Sequence, residues 1–226
     1  SVNYKKGISG CYNNIGNIFE EQNNYLKARD YYSTAAEIYK KEGELKNLGT
    51  TYNNIGETYL KENKIQQARK YFNRSLNYRN KVNDKLGISA VYSNQATAFL
   101  RVGKIDSAMS KINEALKLDY EIDYKQGICE DLNFLGKLYL KKDMPRKTIE
   151  IVKKSLEMSD AMNTPLQSKK SMKLLSQAYE DLNQHEKALE YFKSYKKVED
   201  RLFNKEKHKQ IEELEMKYQV KKKQQE

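Results

Sequence analysis

The sequence predicts an all-α fold, a solenoid of stacked helix hairpins, and three observations carry that prediction. Only 10 Gly and 2 Pro occur in 226 residues, too few for the turns of a β-rich fold. The charged fraction is 32%, a load that long amphipathic helices tolerate because half of each helix faces water. The chain also repeats itself: "YNNIGNIF" from Tyr12 and "YNNIGETY" from Tyr52 are the same or nearly so at six of eight positions, 40 residues apart.

The repeat runs through five copies. The column of Tyr12 continues as Tyr52, Tyr92, Leu132 and Met172. Four residues on stands a small residue, at Gly16, Gly56, Ala96, Gly136 and Ser176. An aromatic follows three later, at Phe19, Tyr59, Phe99, Tyr139 and Tyr179. Then come Ala28, Ala68, Ala108, Thr148 and Ala188, and four beyond them Tyr32, Phe72, Ile112, Val152 and Phe192. A small residue opposite a large one lets two helices approach closely. No single hairpin buries both of its faces, so the copies must stack.

Each copy divides into two helices. Tyr52, Ile55, Tyr59 and Leu60 follow the three-and-four rule for one buried stripe. The pattern breaks at Asn23, Asn63, Gly103, Asp143 and Asn183, residue types that tolerate the left-handed conformation ending a helix. First helices are expected at about 7–22, 47–62, 87–102, 127–142 and 166–182. Second helices are expected at about 25–42, 65–83, 105–123 and 146–162, with Pro145 supporting the last of these starts. Leu60, Leu100 and Leu140 read as core between stacked first helices. His185 falls in the column of Tyr25, Ile65, Ile105 and Pro145 and reads as a packing position.

From His185 onward no Gly or Pro interrupts the chain, so a final long helix is expected to run through "IEELEMKYQVKKKQQE". Val198, Leu202, Ile211, Leu214 and Tyr218 give it a loose apolar side. That side suits a capping helix to about Phe203 and a connector beyond, able to pair with a second copy. The domain reading is therefore a solenoid over 1–203, with repeats at about 7–46, 47–86, 87–126, 127–165 and 166–203. A charged helical extension follows over 204–226. The opening "SVNYKKGIS" parallels "NDKLGIS", the end of a second helix, and predicts a further repeat upstream.

Catalytic chemistry finds no footing. Of the two histidines, His185 reads as packing and His208 sits in a charged helix with no visible partner, and Cys11 and Cys129 have neither metal-ligand nor disulfide spacing. There is no phosphate-cradling glycine loop and no nucleophile elbow, and no carboxylate stands apart from surface charge. A non-catalytic protein with no cofactor and no metal is expected. A net charge of +11 raises nucleic acid as a partner, but acidic residues are interspersed nearly everywhere and the aromatics serve the repeat core. A nucleic-acid-binding solenoid is thus a minor alternative, and no nucleic acid is expected. No apolar run of membrane-spanning length occurs.

Asparagines are the informative polar set. Asn13, Asn53, Ser93 and Asn133 share one column, and Asn14, Asn54 and Asn94 the next. Neighbours on a helix lie roughly 100° apart, so the two columns face different ways. Asn17, Glu57, Thr97 and Lys137 lie one turn beyond the first column, on the same face. A side-chain amide offers both donor and acceptor and suits an extended peptide backbone of any sequence.

The small residue, the aromatic three later, the alanine nine after that and the aromatic four beyond resemble the tetratricopeptide repeat, best in Gly56, Tyr59, Ala68 and Phe72. The resemblance covers nearly the whole chain. It departs at Gln95, Thr148 and Tyr195, in the missing closing proline, and in a period longer than the usual 34. The extra length is expected in the second helix, as about a turn and a half. The resemblance implies a right-handed superhelix with first helices on its concave side. Asn13, Asn17, Asn53, Glu57, Ser93, Thr97, Asn133 and Lys137 would then line a groove for a protein or peptide segment. Asn14, Asn54 and Asn94 would bond between repeats or join the groove. Lys173 is the lone lysine of the leading column, so no clamp for a terminal carboxylate is expected.

The period of 40 together with the charged "RLFNKEKHKQIEELEMKYQVKKKQQE" is similar to the sensor regions of bacterial, Bacteroidetes-type, membrane-bound histidine kinases and helix-turn-helix regulators. That similarity implies a sensing segment outside the cytoplasm, with a membrane span and output domain downstream. The alternative is a cytoplasmic scaffold without signalling output.

Overall fold

The structure, a computed structural model, describes the backbone of residues 2–225, with side chains described except at 2–6, 214, 217–219 and 221–226. Leu214 and Tyr218 of the expected apolar side, and most of the opening segment, lie outside the described side chains. Ten α-helices follow one another, and no strand occurs among the described residues. They are α1 (Val2–Glu21), α2 (Tyr25–Lys41), α3 (Leu45–Lys61), α4 (Ile65–Lys81), α5 (Lys85–Arg101), α6 (Ile105–Glu121), α7 (Lys125–Lys141), α8 (Pro145–Ala161), α9 (Pro165–Asp181) and α10 (His185–Gln225). The chain divides into two compact units, Ser1–Leu138 and Tyr139–Glu226.

Within the first unit α1 packs on α2, α3 on α4 and α5 on α6, with α2 also against α3 and α4 against α5. The small-residue column sets the approach inside each pair. A Cβ added at Gly16 would sit 2.5 Å from the Tyr32 ring, and one at Gly56 2.5 Å from the Phe72 ring. Tyr32, Phe72 and Ile112 are wholly buried, as are Ala28, Ala68 and Ala108. In the second unit α8 packs on α9 and α9 on α10 around Val152, Leu175, Tyr179 and Ala188. Phe192, in the column of Tyr32 and Phe72, is 46% exposed because no further helix covers this face of α10 among the described residues. The leucine column splits: Leu60 is buried, whereas Leu100 and Leu140 are half-buried.

Helix ends recur every 20 residues rather than every 40. Left-handed residues stand at Asn23, Gly43, Asn63, Asn83, Gly103, Asp123, Asp143, Asn163 and Asn183. Each turn closes in the Schellman manner, the amide after the left-handed residue reaching back five positions. Asn24 N donates to Phe19 O at 2.8 Å and Lys64 N to Tyr59 O at 2.8 Å. The second helices end alike, with Glu44 N donating to Tyr39 O at 2.9 Å. Helices α2 to α9 are consequently 17 residues each. The long period is not a lengthened second helix: the extra residues are shared equally, and first helices begin about two residues earlier than their apolar stripe suggests. The expected last helix is present, α10 running for 41 residues.

Candidate binding surface

The first helices of the first unit are tied side by side through the columns that carry the asparagines. Thr51 Oγ1 on α3 donates to Asn13 Oδ1 on α1 at 3.2 Å, and Asn54 Nδ2 to Asn17 Oδ1 at 3.5 Å. Between α5 and α3, Asn94 Nδ2 reaches both Asn53 Oδ1 (3.1 Å) and Glu57 Oε1 (2.7 Å). Asn53 Nδ2 donates to the same Glu57 oxygen at 2.5 Å. Between α5 and α7, Ser93 Oγ donates to Asp131 Oδ1 at 2.8 Å. Each bond between helices spans about one repeat in sequence, so the ladder fixes the register of neighbouring copies.

The predicted groove residues occupy this face with different exposures. Asn53 and Asn133 are buried, Asn13, Glu57, Ser93 and Thr97 are half-buried, and Asn17 and Lys137 face solvent. Thr97 Oγ1 bonds back to Ser93 O at 3.1 Å. Of the inner column, Asn54 and Asn94 are half-buried and Asn14 is exposed. Asn17 also receives the Tyr32 hydroxyl at 2.7 Å, which donates to Glu20 as well at 2.6 Å. Burial pushes the Tyr32 hydroxyl pKa upward, and the bond to Glu20 adds to the shift. Burial likewise raises the carboxyl of Glu57, opposed by the hydrogen bonds from Asn94 and Asn53.

A cleft of about 480 Å³ opens beside this ladder and includes Glu57, Ser93 and Asn94 in its wall. Its other charged residues were not singled out by spacing. Arg79 of α4 pairs with Asp84, and Lys46 approaches the same carboxylate at 3.9 Å. Asp119 of α6 and Asp131 of α7 are 2% and 3% exposed, and Asp119 Oδ1 and Asp131 Oδ2 have no hydrogen-bond partner. Burial pushes the Asp131 carboxyl up to about 8, the Ser93 bond opposing and Asp119 and Glu130 adding. Burial raises Asp119 as well, opposed by Ser89 and assisted by Glu130. The repeat columns held the signal: Asp131 stands where Cys11, Thr51, Val91 and Ser171 stand, a charge among small neutral residues.

The remaining candidates are placed elsewhere. His185 is not a packing residue. Its side chain is 67% exposed, with Nδ1 3.2 Å from Glu180 Oε2 across the turn, because α10 turns this first residue to solvent. Cys11 is exposed and Cys129 buried, and neither forms a disulfide. Lys173 is exposed. Among the described residues no group of three or more His, Cys, Asp and Glu side chains is placed to hold a metal ion, and no helix is long and apolar enough to cross a membrane.

The family model of the tetratricopeptide repeat matches residues 9–81 and 47–121, and a second model of that repeat matches 171–199. No curated protein matches the chain. Solved structures do. BtubC (BKLC) from P. vanneervenii is 15% identical with a TM-score of 0.78, over 88% of this chain and 82% of that one. A putative kinesin light chain from Podospora anserina with nearly identical TPR-like repeats is 10% identical with a TM-score of 0.69, over 89% and 98%. A Signal Transduction ATPase with Numerous Domains from Pyrococcus horikoshii, which has a tetratricopeptide repeat sensor, is 18% identical with a TM-score of 0.76. That match covers 87% of this chain and 30% of the other. At these identities the likeness is one of fold. The family matches reach across residues 9–121 and again near the C-terminus, over the same helix pairs that the structure stacks. The chain belongs to the tetratricopeptide repeat family of protein-interaction domains.

Proposed function

We propose that this chain acts by binding and not by catalysis, holding a protein or peptide segment along the face of its first helices as the sensing part of a signal-transduction protein. The single observation that carries the reading is the ladder joining α1, α3, α5 and α7. It leaves half-buried amides, hydroxyls and carboxylates beside an open cleft. Such groups, fixed in place by their own cross-repeat bonds, offer a peptide backbone donors and acceptors without further ordering cost. Asn13, Asn17, Asn53, Glu57, Ser93, Thr97, Asn133 and Lys137 are the contact residues proposed, with Asn53 and Asn133 acting from beneath the surface. The sensing role draws support from the fold shared with a repeat that serves as a sensor in another signalling protein.

The proposal extends to α10, whose exposed Phe203, Ile211, Met216 and Val220 would engage a second copy or a downstream segment. Panning a library of short random peptides against the whole chain tests the binding reading. Enriched peptides should bind wild type and lose at least about tenfold affinity, about 1.4 kcal/mol, in the Asn17→Ala/Thr97→Ala variant. Peptides that bind both proteins equally would place the contact elsewhere, and an unenriched library would overturn the reading.

A further inference from the structure

The acidic cleft in the first unit has an internal precedent. Its wall holds five carboxylates, from Glu57, Asp84, Asp119, Glu130 and Asp131, against two cations, Lys46 and Arg79, in a chain whose net charge is +11. Both cations are directed at Asp84. One repeat later the same columns read Asp119 in place of Arg79 and Tyr124 in place of Asp84. The glycine that makes room is kept. A Cβ at Gly87 would collide with the Arg79 guanidinium, and a Cβ at Gly127 would collide with the Asp119 carboxylate. The fold thus builds the same seat twice, filled by an internal guanidinium–carboxylate pair in one copy and by a carboxylate alone in the next.

Asp131 adds a second carboxyl group to that seat. Its Oδ1 takes the Ser93 hydrogen bond that mirrors Thr51 to Asn13, so the structural bond needs only a neutral hydroxyl in the earlier copy. The carboxylate's other oxygen, like Asp119 Oδ1, is left without a partner although both residues are almost fully buried. An unpaired buried carboxylate is costly, and a guanidinium or ammonium group is the chemistry that relieves it.

We propose that this cleft takes the arginine or lysine side chain of a bound peptide segment, seated against Asp119 and Asp131. The proposal rests on the peptide-binding reading and names its partner's chemistry.

Two measurements test it on the whole chain. In an NMR titration, N-acetyl-arginine amide should shift the Ser93, Gly127 and Asp131 amide signals saturably, whereas N-acetyl-citrulline amide, its uncharged counterpart, should not. This comparison needs no variant. Equal responses to the two compounds, or no saturation, would overturn the seat. In the second measurement, peptides panned from a random library on wild type should be enriched in Arg or Lys. They should weaken by at least about tenfold against the isosteric Asp119→Asn/Asp131→Asn variant. Peptides without basic residues, or retained by that variant, would sink this inference while leaving peptide binding intact. Saturable arginine-amide shifts with no enriched peptide would overturn the peptide as the source of the cation, and the binding reading with it.

Discussion

Asp131 illustrates how one residue of a repeat departs in charge from its column, where the other copies carry Cys11, Thr51, Val91 and Ser171. Thr51 in the same column bonds to the preceding first helix with a hydroxyl, and Asp131 makes the equivalent bond with a carboxylate that is almost fully buried. The groups around it are mostly of its own sign, Asp119 and Glu130, while Arg79 and Lys46 in the same cleft are directed at Asp84. An unfolded aspartate titrates near ~4, whereas the folded one is raised to about 8. The folded state therefore holds the proton more tightly, and stability falls as pH rises through that window. Between about pH 5 and about pH 9, Asp131→Asn should lose less stability than wild type, by at least roughly 1 kcal/mol or about 2 °C in Tm. Parallel pH profiles of the two proteins in thermal melts would contradict the burial of an unpaired carboxylate here.

At the scale of the element, the turn matters more than the helix it ends. Nine left-handed residues at intervals of 20 divide the chain, and seven of them are Asn or Asp instead of glycine. Asn63, with φ of 60°, closes α3 between two well-packed helices. Asn63→Ala should lower stability by about 1–2 kcal/mol, since a Cβ without a local polar group is strained there. Asn63→Gly should stay within a few tenths of a kcal/mol of wild type. Urea unfolding of the pair checks the ordering, and equal destabilisation would place the effect in a side-chain contact instead. The breaks after the first helices were legible from spacing. The equal length of the two helices was not, because the residues that start α3, Leu45 and Lys46, precede the apolar stripe and are held by turn geometry.

For the molecule as a whole, contacts run mainly between helices adjacent in the chain, as a repeat array requires. Phe72 fills the groove beneath Gly56 and belongs to a cluster with Leu60, Ala68, Val91 and Ala98. Phe72→Ala should cost about 3–5 kcal/mol locally. Hydrogen exchange should then accelerate most in α3, α4 and α5, with α9 in the second unit keeping its protection. Uniform loss of protection across all helices would show a single cooperative core instead. The charge distribution also belongs to this scale: a basic chain carries an acidic cleft, and the sum of charges conceals it.

The sequence by itself determined the helix hairpins, their period and the buried columns. Those features rest on local propensity and on packing that every copy repeats, so five copies report the same constraint. It also marked the asparagine columns as unusual. Only the tertiary structure decided what those asparagines touch and which carboxylates are buried. Glu57 meets Asn94 from 37 residues away, and Asp131 meets Ser93 from 38 away. The burial of Asp119 depends on Gly127 in the next helix. Such pairings follow from how neighbouring copies stack, and a single copy's pattern does not encode the depth at which its charges come to rest.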